Sequence, residues 1–361
     1  MLSEYLVSSS HCDTWRKNIN TVIKVPFNIV SDLALPTIPI ALNASYITEQ
    51  FQHMDTICQP HESFYLKSIE VIRYKAGKRC LIEYICELRG KNTFRTVGVI
   101  GKIRTKRSGK KDYRLQSELW THGFSRESSD GVSIAFPLGR LKKANMWLQE
   151  KLMGRNLNDV LLNPDSINIM PDVARAAHKI HISKMSSQRK HTLLDEMNIL
   201  RDRFQVICRE YPLLEKKLHY LLKKAQSISC GLINRKLRPV HRDFYPEQII
   251  VGPTPGEVYI VDFDLFCMGD PAIDIGNFIG HLTEYSLREY GDGLALKHYE
   301  ETVLESFVAL AGSEERSPVK VYALLTLMRH IYICTLFPQR QPFMLEIIDL
   351  CEQKMVQGYC Q

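Results

Sequence analysis

The chain has 361 residues, 45% of them apolar, with a formal net charge of +7; that length exceeds the usual span of one compact core and points to two lobes. The most apolar stretch, Leu324 to Phe337, is interrupted by Arg329 and His330, so no membrane-crossing helix is expected. The start Met1-Leu2-Ser3-Glu4-Tyr5 lacks a basic-then-apolar signal pattern, and the ten cysteines show no zinc-type spacing and read as reduced thiols, so a cytoplasmic protein is expected.

Residues 1–60 are broken by Pro26, Pro36 and Pro39 and are expected to form an extension or cap. Ser68–Tyr74, Cys80–Leu88 and Phe94–Ile103 are rich in Val, Ile, Tyr and Phe and predict an antiparallel meander. Its first turn, Lys75-Ala76-Gly77-Lys78, lies where a phosphate-covering loop belongs, although Gly77 is its only glycine. The third strand carries one lysine, Lys102, in an apolar run; such a residue either ends a strand facing solvent or is paired inside a cleft. From Lys102 to Arg114 seven of thirteen residues are basic and only Tyr113 is aromatic. That pattern reads as a solvated loop, with contact to an acidic partner as the alternative, and no nucleic-acid partner is expected. Asp112–Gly123 predicts a helix, Ser133–Leu141 and Asn145–Leu152 a second pair of strands, and the lobe boundary falls near Glu150. Residues 61–149 thus form the small lobe and 150–361 the large one. In the latter, helical periodicity marks Pro164–Ile182, Leu193–Cys208, Leu213–Ser227, Pro271–Tyr285, Lys297–Ala311, Pro318–Leu336 and Pro342–Gln357.

The densest chemistry lies at His241-Arg242-Asp243-Phe244-Tyr245-Pro246-Glu247-Gln248, followed by Val258-Tyr259-Ile260-Val261 and then Asp262-Phe263-Asp264. A carboxylate and an amide five residues apart, then a short hairpin delivering a second carboxylate, suit phosphoryl transfer. That reaction needs a group at the accepting hydroxyl and oxygen ligands for magnesium. Asp243 fits the first role, Gln248 and Asp262 the second.

These segments resemble the aminoglycoside phosphotransferase and choline kinase family of small-molecule kinases, whose loop follows His-x-Asp-(four residues)-Asn, with a metal aspartate and an Asp-Pro-x-x-Asp helix start beyond it. His241, Asp243, Asp262, Asp270, Pro271 and Asp274 occur here in that order, with Gln248 in place of the asparagine. The resemblance implies an α+β, protein-kinase-like fold with a small antiparallel β-sheet N-lobe and a mainly helical C-lobe. It further implies ATP and Mg2+ as cofactors, Lys102 on the nucleotide phosphates held by Glu118, and a hinge near Glu150 and Leu152 whose backbone meets the adenine. Asp274 is expected behind the catalytic loop, holding its backbone. Arg242 is expected either on phosphate or in an ion pair, and Asp264 either as a turn carboxylate or as an extra metal contact.

Protein kinases share the His-Arg-Asp motif, but Tyr245 stands where serine and threonine kinases place a lysine, and only Phe263–Gly269 separates Asp262 from the next helix start. A small-molecule hydroxyl substrate is therefore expected. A cationic acceptor would want an acidic patch, for which Glu284, Glu289, Asp292, Glu300 and Glu301 are candidates, with exposed helix charges as the alternative. A catalytically silent pseudokinase binding a nucleotide or a partner is the competing class. Oligomeric state leaves no signature.

Overall fold

The computed structural model describes residues 21–25, 29–105 and 109–356. They fall into two compact units: the first runs to Ser125 and takes in Ile134–Met153, the second comprises Arg126–Ser133 and Gly154 onward.

The first unit contains β1 (Val22–Lys24), α1 (Ile38–Ala41), α2 (Ala44–Gln52), β2 (Ser63–Lys75), β3 (Arg79–Arg89), β4 (Phe94–Arg104) and α3 (Gly109–Thr121). After β5 (Val132–Ile134) come β6 (Pro137–Leu141) and β7 (Met146–Glu150). The sheet order is β1-β2-β3-β4-β7-β6, antiparallel except for the parallel pair β1–β2. Strand β3 shows how sequence makes this layer: Cys80, Ile82, Tyr84, Cys86 and Leu88 alternate inward with a period of two.

Helix α2 starts where Asn43 accepts the Tyr46 N–H, and it buries Ile47 and Phe51. The Phe51 ring meets Phe64 and Tyr84 edge-on at 6.2 and 5.3 Å, and the buried Tyr84 hydroxyl donates to the Ala41 carbonyl at 2.8 Å. Within the segment read as an extension or cap, residues from Ile29 to Cys58 thus share one core with the sheet. The part before Thr21 lies outside the described residues. Helix α3 begins at Gly109, earlier than the pattern predicts, so Lys110, Lys111 and Arg114 of the basic run are helical and exposed. Lys106 and Arg107 lie outside the described residues.

Glu62 and Arg95 lock the end of this sheet, with Arg95 Nε donating to Glu62 Oε1 at 2.8 Å and Nη2 to Oε2 at 2.7 Å. The Arg95 hydrogen bonds hold the Glu62 carboxyl down at about 2, against an ordinary 4.5. A depressed carboxylate stabilises the folded state fully above its unfolded value and loses that contribution as pH falls through the folded one. Acid titration of wild type and Glu62→Gln is expected to show the wild type more stable at neutral pH, the difference shrinking from 4.5 down to about 2.

The second unit contains β8 (Arg155–Asn156), α4 (Leu157–Val160), α5 (Met170–Ile182), β9 (Lys190–His191), α6 (Leu193–Glu210), α7 (Glu215–Ser229), β10 (Arg238–Val240), β11 (Ile249–Val251), β12 (Val258–Ile260) and β13 (Cys267–Gly269). Four helices follow: α8 (Ala272–Tyr290), α9 (Lys297–Ala311), α10 (Arg316–Leu336) and α11 (Met344–Val356). The predicted helix over 164–182 is split into a 3-10 stretch, Pro164–Ile169, and α5, because Pro171 favours a fresh helical start. Helix α6 opens on a reciprocal cap between Thr192 and Asp195.

Helices α8 and α10 form the core pair. A Cβ on Gly276 would lie 2.4 Å from the Tyr322 Cβ, and one on Gly280 2.7 Å from the Thr326 Cβ, so the approach requires glycine at both places. By length and composition the segment Ser313–Leu336 could cross a membrane, but 67% of its apolar window is buried inside the protein, as in a core helix. Two small sheets, β5-β12-β11-β8 and β10-β13-β9, carry the loops between them.

Candidate active site

The catalytic loop lies in the second unit, between β10 and β11, and its shape is set by one buried acid. Asp274, in the first turn of α8, is fully buried. Its Oδ2 accepts the His241 N–H at 2.9 Å, its Oδ1 accepts the Arg242 N–H at 2.7 Å, and the His181 Nε2 faces Oδ2 at 2.9 Å. Three residues on along the same helix, Asn277 donates to the Arg242 carbonyl at 2.6 Å. Arg242 is thus held at both main-chain groups, in a left-handed conformation with φ +70 that a side-chain-bearing residue adopts only when its surroundings dictate it. The His241 ring is buried and reaches the Val261 carbonyl at 3.0 Å, which ties the loop to the end of β12. His241 therefore braces the loop.

Asp243 follows this clamp. Burial raises its carboxyl above the ordinary range, against the charges of His241, Arg329 and Arg242, while the neighbouring Asp262 carboxylate pushes the same way as burial. Gln248 closes the loop; its carbonyl accepts the Val261 N–H at 3.0 Å, just beyond the β11–β12 pairing of Ile249 with Ile260. Gln248 and Asp262 therefore occupy the same end of one hairpin. Asp262 also takes a left-handed backbone, φ +64.

The Gln248 side chain is 95% buried yet its carboxamide forms no hydrogen bond among the described residues, which leaves its carbonyl oxygen available. One carboxylate and one amide oxygen form a hard donor set of the kind magnesium takes, with phosphate and water completing the shell. Among the described residues no group of three or more His, Cys, Asp or Glu side chains is placed to hold a metal ion. Asp264 lies in the 3-10 turn Phe263–Leu265, where the Arg189 guanidinium holds its carbonyl at 3.1 Å. Asp270 accepts the Ala272 N–H at 3.1 Å and pairs with Arg235 at 2.8 Å, which starts α8 and anchors it. Arg242 makes no ion pair among the described residues, so of its two expected roles the structural pair is the one not observed.

In the first unit, Lys102 is 92% buried on β4, with its Nζ 4.9 Å from the Trp147 ring centre. That burial rules out a solvated strand end. The expected Lys102–Glu118 pair is corrected. Glu118 is half-exposed and accepts from Arg114 Nε at 2.7 Å, an i,i+4 contact along α3. The helix turns Gln116 inward instead, where its amide donates to the Ala135 carbonyl at 2.7 Å. Glu118→Ala is expected to change stability by no more than about 0.5 kcal/mol, the worth of an exposed helical pair, and to leave the nucleotide KM unaltered; urea unfolding and steady-state kinetics check both.

The hinge residues Glu150 and Leu152 differ from each other. The Glu150 N–H is already bonded to the Phe136 carbonyl at 2.9 Å, whereas Leu152 makes no backbone hydrogen bond among the described residues and so has both groups available for an adenine edge. The turn at Gly77 departs from a phosphate-covering loop. It is a tight hairpin with φ +66, and its N–H donates to Asp32 Oδ2 at 2.8 Å, which also accepts the Tyr74 hydroxyl. Of the acids considered for a cationic acceptor, Glu284 and Glu300 are buried, while Glu289, Asp292 and Glu301 are exposed charges, the alternative reading. Glu284 faces Arg288 and Arg340, Glu289 binds Arg288, Glu300 meets Lys354 and Thr283, Glu301 meets Lys297, and Asp292 accepts the Leu294 N–H.

The sequence reading missed Asn277, whose signal is its i+3 position from Asp274 on one helix face, and the charge behind it. Arg329 on α10 donates to Asn277 Oδ1 at 3.0 Å and faces Glu196 at 3.4 Å. No local pattern links those three residues.

These features define a protein-kinase-like α+β fold, and residues 138–303 match the phosphotransferase enzyme family. The resemblance to aminoglycoside phosphotransferases and choline kinases read from the sequence is borne out. Among solved structures, the chain is similar to a choline/ethanolamine kinase family protein from Mesorhizobium loti, with TM-score 0.54 and 12% identity over 88% of this chain and 96% of that one. It is also similar to choline kinase from Cryptosporidium parvum, with TM-score 0.55 and 12% identity over 87% and 96%. A third similar structure is amicoumacin kinase hAmiN in complex with AMP-PNP, Ca2+ and Ami, with TM-score 0.55 and 13% identity over 88% and 96%. No curated protein sequence matches the chain at a significant level.

Proposed function

We propose that this protein transfers the terminal phosphoryl group of ATP to a hydroxyl of a small molecule. The observation that carries the reading is the Asp274-clamped loop, which presents Asp243 while its far end sets Gln248 beside Asp262 on one hairpin. Asp243 orients the acceptor hydroxyl and takes its proton as the oxygen attacks the terminal phosphorus and ADP leaves. Its burial favours that role, since a carboxylate whose pKa is raised is the better proton acceptor. Gln248 and Asp262 would hold Mg2+, which when bound neutralises charge on the nucleotide phosphates. Lys102 supplies a fixed positive charge to those phosphates, and Leu152 the backbone edge for the adenine.

A small acceptor is supported by the stretch after Asp262. Phe263–Gly269 ends in β13, which pairs with β10 on one side and β9 on the other. Phe263–Leu265 form a 3-10 turn and Cys267–Gly269 a paired strand, so the stretch is too short to build a platform for a peptide substrate. The relatives in the comparison named as choline, choline/ethanolamine and amicoumacin kinases agree with this size class.

The test is thermal stability with ATP, with Mg2+ and with both, on wild type and on Asp262→Ala. A ligand that binds the native state raises its melting temperature, so a magnesium-dependent ATP shift that Asp262→Ala abolishes is expected. No shift at millimolar nucleotide would overturn the reading in favour of a silent binding module.

A further inference from the structure

Helix α10 is buried along most of its length, yet Arg329 places a charge within it, and a charge there needs partners. Its guanidinium finds two. Nη1 faces Glu196 Oε2 of α6 at 3.4 Å, and Nη2 donates to Asn277 Oδ1 of α8 at 3.0 Å. Glu196 is itself buried, and its other oxygen lies 2.5 Å from His191 Nε2. His191 belongs to β9, which pairs with β13 just ahead of the start of α8. Three helices and a strand thus converge on one side chain, Asn277.

The Asn277 amide has two unlike ends. Its Oδ1 also accepts from the Thr326 hydroxyl at 2.7 Å, and its Nδ2 donates to the Arg242 carbonyl at 2.6 Å. A hydroxyl can serve either end of an amide, but a guanidinium only donates, so Arg329 is the group that turns the oxygen toward α10 and the amine toward the loop. The flipped amide would set oxygen against the Arg242 carbonyl oxygen. That carbonyl shares a planar peptide unit with the Asp243 N–H. Anchoring it therefore fixes the plane from which the Asp243 side chain departs.

We propose that Arg329 is a positioning residue for Asp243, acting through Asn277 on the peptide plane between Arg242 and Asp243, with Glu196 and His191 holding the guanidinium in place. This deepens the phosphotransfer reading and rests on it for what Asp243 does, but the restraint on the loop needs no reaction. The labour is divided between two anchors. Asp274 takes the N–H groups of His241 and Arg242, which enter the turn, and the Arg329 chain takes the carbonyl that leaves it. The left-handed Arg242, φ +70, is thereby fixed from both sides, as such a backbone must be to persist.

Two measurements on the full chain test this: amide hydrogen–deuterium exchange of peptides covering residues 241–248, and ADP release from ATP and Mg2+ with water standing in for the acceptor hydroxyl. Arg329→Met, which removes the donors at similar length, is expected to speed loop exchange about tenfold or more, the scale of a lost hydrogen bond to a charged group. It is also expected to lower kcat about ten- to a hundredfold, the scale of a displaced catalytic group, with the KM for ATP unchanged. Arg329→Lys keeps a charged donor and is expected to recover part of both losses. Asn277→Leu cuts the last link while Glu196 and Arg329 stay paired; it is expected to reproduce the Arg329→Met result, which separates positioning from the loss of a buried ion pair. Wild-type exchange over 241–248 in both Arg329→Met and Asn277→Leu overturns the proposal. A rise spread evenly over α6, α8 and α10 also overturns it, since that marks a merely structural role. The two readings fail separately: a wild type that releases no ADP removes the kinase reading while exchange still decides the restraint, and wild-type turnover in both variants removes the positioning role and keeps the kinase reading.

Discussion

Asp274→Ala is expected to cost about 3–5 kcal/mol of stability in the unit that carries the catalytic loop, measured as a lowered urea midpoint with an unchanged slope. The carboxylate is fully buried and accepts two backbone N–H groups while facing His181. Truncation removes the shared acceptor and leaves the His241 and Arg242 amides buried without one, at about 1–3 kcal/mol each. It also releases the left-handed backbone at Arg242, φ +70, which nothing else on the amide side restrains. Phosphotransfer should fall even below the denaturation midpoint, because Asp243 is the next residue and its direction depends on that backbone. An Asp274→Ala protein with wild-type stability would refute the clamp.

On the proposed reaction, Asp243→Asn is expected to lower kcat by about 10²–10⁴-fold, the range supplied by positioned proton transfer. The amide keeps the size of the carboxylate and can still orient a hydroxyl, but it takes up no proton. The magnesium-dependent nucleotide shift should survive, since Gln248 and Asp262 are untouched. That combination separates Asp243 from the metal position: loss of the shift in Asp243→Asn would assign this residue to the metal, and retained kcat would remove it from the chemistry. Stability is expected to change little or to rise slightly, because the variant replaces a carboxyl whose ionised form burial already disfavours.

Much of this arrangement is legible in residue order, for a physical reason. His241, Asp243, Gln248, Asp262, Asp270 and Asp274 lie within one short stretch of chain, where loop, hairpin and helix start follow directly from turn residues and strand periodicity. The buried alternation of β3 and the apolar α10 are equally local signals. The helix ends and starts are less so: α3 begins at Gly109 because tertiary packing buries that glycine against Trp147, which periodicity does not register.

Side-chain partners were decided by the tertiary structure. Glu118 looked well placed for Lys102 by order alone, but helical phase turned it to Arg114 and put Gln116 inside. Gly77 looked like part of a phosphate turn until Asp32, distant in sequence, took its N–H. The Glu196–Arg329–Asn277 chain and the Tyr245–His281–His330 stack each join three separated segments, so neither has a motif. The sequence by itself determined the loop, the β11–β12 hairpin and the class of fold, because those depend on near neighbours along the chain. Which buried groups find partners depends on how distant helices pack, and only the folded chain decides it.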